Sequence, residues 1–355
     1  VTAHSAHTPA IDVLVDAITS PETVSELEAA GCDGVWVTET VRDPFLALAE
    51  YARVTRTTAL ATGVAIAFAR SPMTLAMSAH DLQRISGGRL TLGLGSQVKP
   101  HIERRFSMPW SEPAERMREY VLALRAIWAC WNEGEPLDFQ GRFYRHTLMT
   151  PFFNPGPHGF GRPSVVLGGV GQRMTAVAGE VADGFLCAPL TSPRSLEQYT
   201  LPALGRTGEG FTITATPFVV TGEDATATAR VEDATRRRIA FYASTPAYRT
   251  ILEVHGWGAR AEELTRLSRA GEWKAMAGLV DDEMLDAFAV VAAPDQVAAA
   301  VRERWGDTAD RVALFVAADP GPEAAAELVR IVGRVRAGRA PGGLRRPSSE
   351  CPAAT

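Results

Sequence analysis

Between positions 62 and 97 the chain reads TGVAIAFARSPMTLAMSAHDLQRISGGRLTLGLGSQ. Two apolar, β-branched strand patterns, over 60–68 and 90–94, enclose one helical pattern. Met73, Leu75, Ala76, Ala79, Leu82 and Ile85 supply its apolar positions. This is a β-α-β unit, and its two strands are therefore expected to be parallel. Gly87 and Gly88 end the helix, because glycine takes the left-handed conformation without a Cβ clash. Both strands run into small or polar residues at their C-terminal ends, the edge at which ligands sit in parallel α/β folds.

The same alternation continues along most of the 355 residues. Strands are predicted over 11–15, 35–38, 164–167, 184–187, 212–220 and 311–317, with a short one near 288–291. Helices are predicted over 21–30, 44–55, 172–181, 225–242, 294–305 and 322–335. Repeated β-α alternation means a mainly parallel sheet. Counted from pattern alone the strands number six to eight, and eight favour a closed (β/α)8 barrel over an open sheet. Two segments interrupt the alternation, about 96–161 and 245–283. The first contains a strong helix, N-capped by Ser111, with Met117, Val121, Leu124, Trp128 and Trp131 at helical spacing. Neither segment reads as able to bury a core alone. Both are expected as insertions at the C-terminal mouth of one domain spanning 1–336. The tail 337–355, rich in Gly, Pro, Ser and Arg, is expected to be disordered.

Composition narrows the partners. A formal charge of −5 and the lack of a basic stripe interleaved with aromatics give no reason to expect nucleic acid. The densest basic run, 236–238, reads as a solvated helix face. No stretch of about 18 apolar residues predicts a membrane span, and the first ten residues lack the pattern of a signal peptide. The four cysteines, at 32, 130, 187 and 351, form no CxxC pair and no zinc spacing. Cys32, Cys130 and Cys187 read as buried small hydrophobes in a reducing cytoplasm. Asp281, Asp282 and Glu283 lack calcium-loop spacing and read as helix-capping charge rather than a metal site. No metal is expected.

Few residues stand out for chemistry. Thr38, Glu39 and Thr40 end the second strand. That placement suits a ligand-contacting carboxylate and equally a helix-capping one. Gly168, Gly169, Val170, Gly171, Gln172 and Arg173 join a strand to a helix. Exposed backbone N–H groups and the helix dipole there suit a phosphate, although the spacing is neither a P-loop nor GxGxxG. Gly95, Ser96 and Gln97 form a similar loop, followed by the basic Lys99, His101, Arg104 and Arg105. His80 and His146 read as structural, and no serine or cysteine occupies a nucleophile elbow.

Taken in order, GCDGVWVTET, ATGVAIAFARSPMTLA, LQRISGGRLTLGLGSQ, MREYVLALRAIW and VAGEVADGF resemble the luciferase-like monooxygenase superfamily over about 11–336. LGLGSQVKPHIERRFSMPW and FYRHTLMTPFFNPGP resemble its class using the deazaflavin coenzyme F420. The resemblance implies a (β/α)8 TIM barrel with insertion segments over the mouth. It places Glu39 and Thr40 at the ring of the coenzyme, as catalytic or ring-orienting residues. Gly63 and Val64 would buttress that ring, through a bulge with a cis peptide at Gly63-Val64. Ser96 and Gln97 would bond coenzyme or substrate, and Gly169, Gly171, Gln172 and Arg173 would hold phosphate. Phe45, Trp110 and Phe143 would wall an apolar substrate pocket.

Two departures accompany the match. Several F420-using relatives carry Asp-His where this chain has Glu39 and Thr40, and a threonine does not titrate near neutral pH. A glutamate after the fourth strand of some sugar-phosphate-oxidising relatives corresponds to Val98. The function implied is hydride transfer between the deazaflavin C5 and a small organic substrate, with a separate reductase regenerating the coenzyme and a homodimeric assembly. The alternatives are a reduced-FMN monooxygenase working with a partner flavin reductase, and a barrel that binds deazaflavin without turnover.

Overall fold

A computed structural model describes residues 8–205, 207–317 and 322–337. The expected tail, from 338 onward, lies outside the described residues. Besides a short antiparallel hairpin of Phe139–Gln140 with Arg145–His146, the strands are β1 (Ala10–Asp16), β2 (Gly34–Thr38), β3 (Ala59–Thr62), β4 (Ala65–Ile66), β5 (Leu90–Gly95), β6 (Ser164–Gly168), β7 (Gly184–Leu186), β8 (Thr212–Ala215), β9 (Phe218–Val220), β10 (Ala289–Val291) and β11 (Arg311–Leu314). Neighbouring strands pair in parallel around a ring: β1, β2, β3, β5, β6, β7, β8, β11 and back to β1. This is the eight-stranded barrel that the alternation predicts. Its strands are buried on nearly every residue because both faces are covered.

The main helices are α1 (Pro21–Ala29), α2 (Pro44–Val54), α3 (Pro72–Ser86), α4 (Lys99–Arg104), α5 (Pro113–Asn132), α6 (Gln172–Val181), α7 (Ala225–Ala243), α8 (Gly258–Ala270), α9 (Asp282–Phe288), α10 (Val297–Trp305) and α11 (Pro322–Ala337). The first three helices start alike. Ser20, Asp43 and Ser71 cap the backbone N–H groups of Thr23, Phe45 and Thr74 at 3.2, 2.8 and 3.1 Å, and a proline follows each cap. Proline loses nothing there, since its missing N–H has no helical partner. The α3 helix ends at Gly87, φ +67°.

The barrel interior is filled by Trp36, Ala61, Val166, Leu186 and Ala313, with Leu14 and Val64 packed above them. Its lower end is closed by a polar plug. Asp12 is fully buried, accepts the Trp36 indole N–H at 2.7 Å, and is gripped by Arg311 at 2.7 and 2.6 Å. A Cβ at Gly34 would stand 2.8 Å from the Asp12 carboxylate, so only glycine leaves room for it.

Five expectations are corrected, the first being the Ser111 cap: α5 starts after Glu112, and no side chain caps it. The predicted strand over 60–68 is two strands and a 3₁₀ turn (Ala67–Ala69), broken at Gly63-Val64, whose peptide bond is cis. The predicted strand over 212–220 breaks at Thr216 and Pro217; proline has no N–H for the ladder. Beyond the break, β9 leaves the barrel wall to pair with β10, touching β11's continuation through the bridge of Phe218 and Phe315. The helix α5, counted within an insertion, belongs to the helices around the barrel and packs between α3 and α6. The segment 245–283 does take part in a core of its own. With α7, α9, β9 and β10 it encloses Ile239, Leu252, Leu264, Met284 and Phe288.

Candidate active site

The strand ends open into one cavity of about 1440 Å³. Its wall is supplied by every part of the barrel mouth: Asp16 and Ile18 after β1, Glu39 and Thr40 after β2, Gly63 and Val64 at the break, Ser96 and Gln97 after β5, residues 168–174 after β6, and Phe315 after β11. Residues far apart in sequence are therefore brought together as the resemblance implies.

Val64 forms the floor. Its two methyl groups lie against β5 and β6, where a Cβ at Gly95 would stand 2.6 Å from one and a Cβ at Gly168 2.9 Å from the other. The two glycines thus leave room for the Val64 side chain to fill the barrel top, where it makes the floor apolar.

Glu39 reaches the cavity edge, but its carboxylate is committed elsewhere. It accepts the Ile66 backbone N–H at 2.7 Å and both Arg70 terminal nitrogens at 2.8 Å, and its side chain is 6% exposed. Arg70 also bonds Asp43 at 2.8 Å and covers the Phe45 ring at 5.4 Å. Burial works against the Arg70 charge, yet the Glu39 and Asp43 carboxylates outweigh it and hold its pKa above the ordinary value. Thr40 donates to Asp16 Oδ1 at 3.2 Å, and Thr38 donates to the same oxygen at 2.5 Å. Asp16 Oδ2 accepts nothing from the described residues. Asp16 therefore presents a carboxylate oxygen to a ligand at this rim, and the sequence patterns do not single it out.

On the β6 side, α6 begins at Gln172 with Gly171 as N-cap and no side chain capping it. The first helical bond runs from Thr175 N–H to Gly171 carbonyl at 3.0 Å, so the N–H groups of Gln172 and Arg173 have no helical partner. Arg173 is exposed and pairs with Glu115. Ser96 and Gln97 also line the cavity, with their polar atoms turned to their own backbone. Ser96 donates to the Gln97 carbonyl at 3.1 Å, and Gln97 Oε1 accepts from Val98 N–H at 3.0 Å. Gln97 holds φ +59°, uncommon for a residue with a side chain.

Of the three aromatics expected as walls, Trp110 lines the cavity and packs edge-on against Phe68 at 5.9 Å. Phe45 and Phe143 do not. Phe45 is buried behind Arg70, and Phe143 sits on a turn pinned by Glu119, which accepts the N–H groups of Arg142, Phe143 and Tyr144. The opposite wall comes instead from Tyr199, Tyr242, Tyr248, Phe315 and Arg238. Burial raises the phenol pKa of Tyr242 and Tyr248, so both remain neutral donors. Cys187 also faces the cavity; burial pushes its thiol up to about 12, which leaves it an un-ionised hydrophobe. Of the three arginines over 236–238 only Arg237 is a plainly solvated, surface-paired side chain; Arg236 is largely buried and also donates to the Val280 carbonyl at 2.6 Å. Arg236 pairs with Glu232 and Asp282, and Arg237 with Asp233, whereas Arg238 turns to the cavity. The i, i+4 spacing of Arg238 and Tyr242 on a predicted helix was the available signal.

Among the described residues no group of three His, Cys, Asp or Glu could hold a metal, and no helix is long and apolar enough to cross a membrane. Asp281 caps α9 through Met284 N–H at 3.0 Å. Cys32, Cys130 and Cys187 are buried and free. His80 packs against His158 and Trp131 away from the cavity.

The barrel and its mouth define a known class: the chain belongs to the luciferase-like monooxygenase family, whose model matches residues 9–311. It is 51% identical over 300 residues to an uncharacterized protein of Mycobacterium tuberculosis, a match covering 82% of this chain and 88% of that one. It is 29% identical to the 5,10-methylenetetrahydromethanopterin reductase of Archaeoglobus fulgidus, over 78% of this chain and 82% of the reductase. The coenzyme F420 dependent tetrahydromethanopterin reductase from Methanopyrus kandleri has the same fold, with a TM-score of 0.73 at 21% identity, covering 91% of this chain and 98% of that one. The family holds oxidoreductases and monooxygenases.

Proposed function

We propose that the chain is a coenzyme F420-dependent oxidoreductase acting on a small organic molecule. The observation that carries this is the pairing, in one cavity, of an apolar floor at Val64 with a helix N-terminus at Gln172 that no side chain caps. A planar ring suits the first and a phosphate the second. The residues present fit a deazaflavin, which when bound supplies hydride chemistry at C5.

The chain's own part is positioning and dryness. Val64 supports one ring face, seated between Gly95 and Gly168. Backbone N–H groups of Gln172 and Arg173 hold phosphate oxygens. Glu39 fixes the break after β3 through Ile66 N–H and Arg70. Asp16, oriented by Thr38 and Thr40, accepts a hydrogen bond or a proton from the substrate. A separate reductase would keep the coenzyme in the required state. A homodimer would bury exposed apolar side chains such as Leu46, Met77 and Ile85 on α2 and α3.

A reduced-FMN monooxygenase is the second reading. It is favoured by Thr40, which places no histidine at the ring. Titrating the protein with oxidised F420 and, separately, FMN tests the choice by ligand fluorescence. Tight F420 binding with weak FMN binding supports the deazaflavin reading. The reverse preference, with oxygen uptake on adding enzymatically reduced FMN, establishes the monooxygenase. Binding of F420 without oxidation or reduction of any substrate would mark a non-catalytic barrel.

A further inference from the structure

We propose that Arg238 anchors a substrate subsite that takes the carboxylate of an aromatic or similarly apolar organic acid. The inference rests on the reading that the coenzyme occupies the other side of the same cavity. At about 1440 Å³ the cavity exceeds the roughly 300–1,000 Å³ of an ordinary single-ligand site. A ring seated on Val64 with its phosphate at α6 uses the β3 to β6 side. The side formed by β1, β8 and β11 stays open to a second molecule.

That open side has a distinct chemistry. Arg238 is the one arginine of its run that finds no carboxylate among the described residues. Its guanidinium lies over the Phe315 ring at 5.8 Å, and Tyr199, Tyr242 and Tyr248 complete an aromatic wall. Such a wall seats a flat apolar body. A guanidinium is planar and offers paired donors that match a carboxylate. One arginine with no helix N-terminus beside it suits a carboxylate better than a phosphate, whose donors gather at α6. The acid group pairs with Arg238, with the rest of the molecule lying along the aromatic wall and across the floor.

The test is a calorimetric titration of the full chain with trans-cinnamate and with the neutral, nearly isosteric cinnamamide, alongside oxidised F420. Cinnamate should bind about tenfold or more tightly than the amide, the advantage of one charge-assisted pair. Arg238→Gln should erase that difference while leaving the amide and F420 affinities within about twofold; Arg238→Lys should keep part of it. The proposal is overturned if acid and amide bind alike, if neither binds, or if Arg238→Gln leaves the preference intact. It is equally overturned if Arg238→Gln weakens F420 rather than cinnamate, since the arginine then serves the coenzyme. A wild-type protein that prefers cinnamate but does not bind F420 upholds this subsite and removes the coenzyme reading instead.

Discussion

Glu39 shows how a residue's place and its work can differ. It stands where a ring-contacting carboxylate is expected, yet both oxygens are spent on Arg70 and Ile66. Removing one partner of such a nearly buried pair leaves the other charge uncompensated. Glu39→Ala should therefore cost about 3 kcal/mol of stability in urea unfolding. Asp16 has the opposite profile, a cavity-facing carboxylate with one free oxygen. Asp16→Asn should leave the unfolding midpoint unchanged and lower turnover at least about tenfold; unaltered turnover would remove Asp16 from the chemistry. Elsewhere Glu28 offers a pH handle. Burial raises its pKa, but the N–H groups of Thr57, Thr58 and Arg56 outweigh that and bring it from 4.5 to about 2. A carboxyl depressed in the fold stabilises fully above its unfolded pKa and loses that contribution as pH falls through the folded value. Stability should drop by about 1–2 kcal/mol between pH 5 and 2, allowing for solvent screening. The Glu28→Gln variant should lack that part of the acid slope.

At the scale of elements, β4, β5 and β6 act as one unit because Val64 is wedged between two glycines. Gly95→Ala would place a Cβ 2.6 Å from Val64, an overpacking worth about 1–3 kcal/mol. Combining it with Val64→Ala should recover much of the loss, and a double-mutant cycle by thermal unfolding measures the coupling. Simple additivity would show that the contact relaxes for free. Elements were also what sequence pattern read best. Ser-Pro and Asp-Pro starts, and the Gly87 stop, carry their physics locally. The breaks were harder. Pro217 sits inside a strongly apolar run whose propensity masks the missing N–H. The helix α5 was misplaced because the loops around it, not its own periodicity, suggested an insertion. Of the cavity, the glycine-rich strand ends were legible. Asp16 and Arg238 were not, because what distinguishes them is a charged group facing the cavity with no ion partner among the described residues, a tertiary fact.

For the whole molecule, the plug of Asp12, Trp36 and Arg311 is the seam at which the barrel closes. Its partners lie 299 residues apart in sequence. Arg311→Ala should leave Asp12 buried without its cation and cost about 3–5 kcal/mol, read in urea unfolding together with a change in tryptophan emission. A loss below about 1 kcal/mol would mean that water reaches Asp12 and solvates it.

The seam also sets a schedule for synthesis. Domains commonly begin to fold from the N-terminus as the chain emerges, but here the first strand waits for the last. Until translation has passed Arg311, β1 has an open edge and Asp12 has no counter-charge. The mouth, which borrows residues from both sides of that seam, is assembled only once translation has passed Arg311. A half-made copy would expose an unpaired strand, and chaperones would be the ones to cover it.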